Sequence, residues 1–420
     1  MKSSLVGLFF IALNAIGQSI VFFPGRSQAA IAEIPPEVTQ LAADNTAFAL
    51  DLYARLGPEH ADKNLFFSPY SISTALAMTY IGARGETAVE MARVLHFSLG
   101  QNQLHPAFSQ LMTTIETAPS SDYQILSANR LWGQDGAFFE PQFLGQLQQY
   151  YGGEVETLDF INQTEICRQT INDWVEERTQ DKIQDPIAPN KLTSLTRFVL
   201  TNAIYFQGNW LAVFDPERTR DATFTTASGA QANVSMMYQR EYFEYAEVEG
   251  LQILELPYRG DALSMVVLLP DAVGGLAALE RRFTPDNLQQ WLSALTLPVE
   301  GPELMQIQLW LPKFRVTSEF DLTKVLSMMG MPSAFGERSD FSGINGGRDL
   351  FISDVIHKAV VEVSEIGTEA AAATAIGGVT RGVPPSIEFR ADRPFVFLIR
   401  HRHSGSILFL GRVANPLESS

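Results

Sequence analysis

The basic residue that stands out is isolated. Between Glu365 and Arg390 the only lysine or arginine is Arg381, which is followed by Gly382. The carboxylate at the base of a trypsin-like specificity pocket pairs with a lone arginine on a glycine-flanked loop. Arg381–Gly382 is therefore a candidate scissile bond. Other reactive side chains are poorly placed for chemistry. The one cysteine, Cys167, cannot form an internal disulfide and sits in the helical stretch Thr164–Thr179 beside Ile171 and Trp174, which reads as a buried, inert thiol. Ser404 and Ser406 lie near His401 and His403, but in a turn between strands. There is no G-x-S-x-G, H-E-x-x-H, P-loop or cysteine pair. The chain is not expected to be an enzyme, and no metal or cofactor is expected.

Arg381 lies in Gly367–Pro385, GTEAAAATAIGGVTRGVPP, nineteen residues joining two strong strand patterns. Structureless connections of that length are uncommon in compact domains and tend to be functional. With strand alternation, Thr368, Ala370, Ala372, Thr374 and Ile376 share one face, and Glu369, Ala371, Ala373 and Ala375 the other. The only charge in that half, Glu369, falls on one parity. Such a stretch could slide into a crowded sheet, and alanine loses no side-chain entropy on burial. A flexible Ala/Gly surface linker is the alternative reading. Gly377, Gly378, Gly382, Pro384 and Pro385 mark the distal half as exposed coil.

The elements that must position this loop follow from periodicity. Val38, Leu41, Asn45, Phe48, Leu52 and Leu56 recur at helical spacing, and Gly57-Pro58 ends the helix. Ser68-Pro69 opens a second helix through Ile72, Ala75, Leu76 and Thr79. The run 86–95 is a third, with Val89, Met91 and Leu95 on its inner face, and 106–116 and 141–150 are further candidates. Strand patterns cover 124–132, 155–160 and 198–206, the last expected to be buried on both faces. Strands dominate beyond Ala222: 242–248, a hairpin of 251–258 and 262–269, a long strand 305–314, then 354–364, 395–401 and 406–413, with a short helix at 322–329. Without repeats, a Pro/Ser-rich linker or a clean βαβ rhythm, the chain reads as one large α+β domain.

Composition bounds the partners. In 420 residues, 47 acidic and 30 basic side chains leave a net charge of −17. Nucleic acid and heparin would be repelled, and no basic helix offsets this. At the N-terminus Lys2, apolar Leu5–Leu13 and Ile20–Phe23, and Ser27-Gln28-Ala29 read as an export signal over residues 1–29. The expectation is a secreted, extracellular protein, periplasmic if the source is bacterial, with no membrane association after cleavage. Asn162-Gln163-Thr164 and Asn233-Val234-Ser235 fit the glycosylation pattern.

Seven motifs, in order, resemble the serpin family of serine protease inhibitors. They are Asn64-Leu-Phe-Phe-Ser-Pro-Tyr-Ser-Ile-Ser, Thr201-Asn-Ala-Ile-Tyr-Phe-Gln-Gly-Asn-Trp210, Leu311-Pro-Lys-Phe314, His357-Lys-Ala359, Gly367-Thr-Glu-Ala-Ala371, Asp392-Arg-Pro-Phe395 and Phe409-Leu-Gly-Arg-Val-Ala-Asn-Pro416. The resemblance implies a single domain over 36–417, three β-sheets with about nine helices, and an exposed reactive loop over 365–389. It implies a suicide mechanism: the protease forms an acyl-enzyme on the loop, which then inserts into the main sheet as a new strand. By family spacing from Gly367 the reactive bond is Arg381–Gly382. The hinge is Gly367, Thr368, Glu369, Ala370, Ala371, Ala372, Ala373 and Thr374. Ser68, Ser71, Asn202 and His357 resemble the shutter that lets the sheet part, with His357 bonded to Asn202 or a serine. Trp210, Lys313 and Glu365 resemble the breach, with Lys313 and Glu365 as an ion pair. The implied partner is a trypsin-like serine protease in a covalent one-to-one complex. A non-inhibitory carrier, or an inhibitor of an elastase-like enzyme cutting at Val379–Thr380 or of a cysteine protease, are the alternatives.

Overall fold

A computed structural model describes residues 34–116, 122–300, 303–368 and 385–418. The proposed export segment, Glu369–Thr374, Arg381 and Gly382 lie outside the described residues. Ile34–Ser420 forms one compact unit.

Central to the fold is a mixed sheet with strand order Phe314–Asp321, Asp354–Val363, Phe198–Asn209, Tyr123–Gln134, Val155–Leu158. Asp354–Val363 runs parallel to Phe198–Asn209 and antiparallel to Phe314–Asp321. Phe198–Asn209 is buried along almost its whole length, as its unbroken apolar run requires. One face packs on the main core through Leu200, Ile204 and Phe206, and the other packs Ala203 and Tyr205 against Val175.

Two helices make these faces. Pro69–Tyr80 is buried at every position; the Ser68 side chain caps it by accepting from Ser71 N–H at 3.0 Å. Thr164–Arg178 covers the opposite face with Cys167, Ile171 and Val175. Burial raises the Cys167 pKa, Asp159 adding to it, which leaves an inert thiol.

A second sheet, antiparallel throughout, runs Leu65–Phe67, Ile407–Val413, Phe395–His401, Leu263–Pro270, Leu251–Pro257, Glu244–Val248. The third runs Ser386–Arg390, Gln306–Pro312, Gln231–Glu241, Arg220–Thr225. Val299–Glu300 and Glu303–Leu304 form a small fourth. The three large sheets and mixed α+β class agree with expectation; ten α-helices stand among the described residues rather than about nine.

Two sequence expectations need correction. Residues 305–314 are not one strand: Gln306–Pro312 belongs to the third sheet and Phe314–Asp321 to the central one. The turn falls at Lys313, and a change of sheet leaves no mark on an unbroken apolar alternation. Val89 is 66% exposed rather than inward. It lies two residues, roughly 200° of helix, from buried Met91.

Candidate functional site: a seam in the central sheet

The parallel pairing of Asp354–Val363 with Phe198–Asn209 runs from Asp354/Val199 to Val360/Tyr205 and stops. Above it the chain turns through Ser364–Ile366 and comes back down. Gly367 and Thr368 then pair antiparallel with Asn209 and Gly208. The root of the long loop is thus already a two-residue strand on the edge of Phe198–Asn209. A Cβ at Gly367 would overlap the Gly208 carbonyl oxygen, so this approach requires glycine. Gly208 is needed too: a Cβ there would lie 2.8 Å from Phe206 and 2.9 Å from Tyr258.

Hydrogen bonds hold the turn at the top of the seam. Trp210 is 1% exposed and stacks on Tyr258 at 4.6 Å. Its backbone N–H donates to Ile366 O at 2.9 Å and its indole N–H to Ser364 O at 3.0 Å. Phe214 N–H donates to Glu365 O at 2.8 Å. The Glu365 carboxylate accepts from Lys313 Nζ at 2.8 Å and from Thr219 Oγ1 at 2.9 Å. Burial alone would raise the Glu365 pKa, but the Lys313 and Thr219 bonds outweigh it and hold the carboxyl below its ordinary value. The structure brings Trp210, Lys313 and Glu365 together and adds Thr219, Phe214 and Ser364. No pattern in the sequence around these three marked them.

Midway down the seam lies a fully buried polar cluster. His357 and Asn202 are register partners across it. Ser68 backbone N–H, which can only donate, reaches His357 Nε2 at 3.1 Å. Nε2 must therefore be the acceptor, which places the ring proton on Nδ1, donating to Asn202 Oδ1 at 2.5 Å. That fixes the amide: Asn202 Nδ2 donates to Ser71 O at 2.9 Å, Ser71 Oγ at 2.6 Å and Asn129 Oδ1 at 2.5 Å. Ser68 Oγ donates to Leu408 O at 2.6 Å. Burial pushes the His357 pKa down to about 3, so the ring is neutral. Ser68, Ser71, Asn202 and His357 thus converge, and Asn129 joins them. Asn129 sits directly opposite Asn202 in the next strand. Residues 124–132 mix Gln124, Ser127, Asn129 and Arg130 with apolar side chains, so nothing in that stretch singled out Asn129.

The His401–Ser404 pair does not form a catalytic site. Their side chains lie 2.8 Å apart, but both are buried, at 2% and 6% exposure, within a tight turn. Burial, with His403 adding to it, lowers the His401 pKa to about 4. Among the described residues no group of three or more His, Cys, Asp or Glu could hold a metal, and no helix is long and apolar enough to cross a membrane.

The site is a parallel seam crossed by one buried polar cluster, with the root of the long loop paired at its upper end. The serpin (serine protease inhibitor) family profile matches residues 43–416, and the chain belongs to that family. Leukocyte elastase inhibitors are similar throughout. That of Sus scrofa is 43% identical over 383 residues, covering 90% of this chain and 100% of the relative. The Homo sapiens protein is 41% identical with the same coverage. Uncleaved ovalbumin superposes with a TM-score of 0.82 at 33% identity, covering 90% of this chain and all of that one. Human thyroxine-binding globulin complexed with thyroxine gives 0.81 at 32%, covering 91% of this chain and all of that one. The chain is a protease inhibitor of the serpin class, a family of inhibitors rather than catalysts.

The expectation of export is corrected here. The similar leukocyte elastase inhibitors are intracellular proteins, matched over their full length, and do not support a leader over residues 1–29 or a secreted, extracellular or periplasmic location.

Proposed function

We propose that the chain traps a trypsin-like serine protease by presenting Arg381–Gly382 as substrate and inserting the cleaved loop into the seam. The observation that carries this reading is the Gly367–Thr368 pairing with Asn209–Gly208. Held in that register, Ala370 comes to Phe206, Thr374 to Asn202 and Gly378 to Phe198, the first residue of the strand. The small residues Ala371–Thr374 thus replace the Val360/Tyr205 to His357/Asn202 pairing and displace the latch. Arg381 is carried past the end of the strand, with the acylated protease attached. Glu369 comes opposite Gln207, which is half-buried at the upper end of the strand, so its charge stays near water.

The hinge, Gly367, Thr368, Glu369, Ala370, Ala371, Ala372, Ala373 and Thr374, is free of bulky residues and proline. That disfavours a carrier role, the reading suggested by the thyroxine-bound neighbour. An elastase-like target is the second reading, favoured by the names of the relatives and by Val379–Thr380 beside Arg381.

Denaturing gels decide between them. Mixed with trypsin, the protein should yield a band near the summed mass, and Arg381→Glu should abolish it. A covalent band with leukocyte elastase that survives Arg381→Glu would move the bond to Val379–Thr380. Complete cleavage by both enzymes, with both left active, would remove the trapping mechanism.

A further inference from the structure

The net charge of −17 is unevenly spread. On the third sheet a cleft of about 280 Å³ is lined by Arg218, Arg220, Asp221, Met236, Tyr238 and Trp310, with Arg390 and Ala222. Strand register brings these residues together. Arg220 is opposite Met236, Trp310 is opposite Tyr238, and Arg390 is opposite Trp310 on the other side.

What holds the arginines is unusual. Arg218 lies over the Tyr238 ring at 4.2 Å and Arg390 over the Trp310 ring at 4.8 Å, while the two rings pack together at 4.8 Å. Aromatic faces position a guanidinium without neutralising it. Acids do little here. No ion pair to Arg218 or Arg220 is present among the described residues, and Arg220 spends one donor on Thr219 O at 2.7 Å. Asp392 stands 3.5 Å from Arg390 but is shared with Arg393 at 2.9 Å. Asp221 is the one carboxylate in the lining. Three guanidiniums against one carboxylate leave about two uncompensated positive charges in a strongly acidic molecule.

We propose that this cleft is a binding site for a small phosphate monoester. Its dianionic phosphate engages Arg218, Arg220 and Arg390, and its organic part packs on Met236, Ala222 and the two rings. The charge count decides the class. A phosphomonoester carries −1.5 to −2 near neutral pH and offers three strong acceptors. A carboxylate or sulfate ester supplies only one charge. The small volume selects a compact ligand rather than a polymer. The cleft uses none of the loop, hinge or seam residues, so this site stands whether or not the trapping mechanism does.

The test is a titration of the full chain with phenyl phosphate, phenyl sulfate and hexaglutamate at low salt, by calorimetry and tryptophan fluorescence, since Trp310 lines the cleft. Phenyl phosphate should bind more tightly than phenyl sulfate, and more tightly above the phosphate second pKa of about 6 than below it. Added salt should weaken binding. Arg218→Ala/Arg220→Ala should weaken it about tenfold or more. Both residues are exposed, so an unchanged melting temperature separates lost binding from lost fold. Arg390→Lys keeps the charge and loses the planar stack, and should weaken binding less. Absence of binding at about 10 mM phenyl phosphate overturns the proposal. So does equal affinity in the double variant, or hexaglutamate binding while phenyl phosphate does not, which would assign the cleft to an acidic peptide.

Discussion

His357 can latch the seam only as a neutral ring, because its Nε2 must accept from Ser68 N–H. Its folded pKa of about 3 lies below the unfolded value of about 6.5. Between those values the unfolded chain binds the proton and the folded chain does not, so stability falls as pH drops below about 6.5. His105 and His401, both lowered to about 4 chiefly by burial, act in the same direction. Each ring contributes at most about 1.4 kcal/mol per pH unit. Urea midpoints at about pH 7 and pH 5 should show a clear loss at the lower pH; equal midpoints would mean that the rings are not buried neutral. Asn129 is the second residue-scale test. Removing its acceptor in Asn129→Ala withdraws one partner of the buried Asn202 amide and should cost about 1–3 kcal/mol in urea unfolding.

At the scale of the element, the proposed insertion would start from the strand Gly367–Thr368. Position 368 pairs with Gly208, whose own face lacks room for a Cβ beside Phe206 and Tyr258. An arginine at 368 would have to take its charge into that crowded upper seam. Thr368→Arg should therefore be cut by trypsin as readily as the parent chain and yield no covalent band. If the band persists on a denaturing gel, the hinge does not enter the sheet at this register. The break at Lys313 matters at the same scale. It sends one chain segment from the third sheet into the central one and leaves the ammonium at the top of the seam, 2.8 Å from Glu365.

Over the whole molecule, the seam is a sheet in which two strands pair in parallel where a further strand would pair antiparallel to both. Ten more residues in the Gly367–Thr368 register would add a ladder along the length of Phe198–Asn209. At about 1 kcal/mol net per hydrogen bond, the inserted form should be more stable by several kcal/mol or more. Cleavage at Arg381–Gly382 should then raise the melting temperature by roughly 10 °C or more, read by calorimetry on intact and nicked protein. A nicked chain that melts no higher than the intact one would mean that the loop stays outside the sheet.

Much of this was legible in residue order. The burial of Val38, Leu41, Asn45, Phe48, Leu52 and Leu56 along the first helix follows from helical spacing. The Ser68 cap follows from Ser-Pro, and the doubly buried 198–206 run from its unbroken apolar character. The motifs around Asn202, Trp210, Lys313, His357 and Glu365 named the residues that meet at the seam. Their partners were not legible. Asn129, Thr219 and Gly208 lie between 73 and 159 residues from the side chains or backbone they meet, as in Asn129–Asn202, Thr219–Glu365 at 146 and Gly208–Gly367. Local patterning is written by neighbours three or four positions apart, which share a helix face, or two apart, which share a strand face. The pairing of distant strands depends on which sheet each joins, and that is settled only when the whole core packs. For the same reason the Arg218–Arg220–Arg390 cluster appears only after the two edge strands of the third sheet, and the short turn that precedes Arg220, are set on either side of the strands between them.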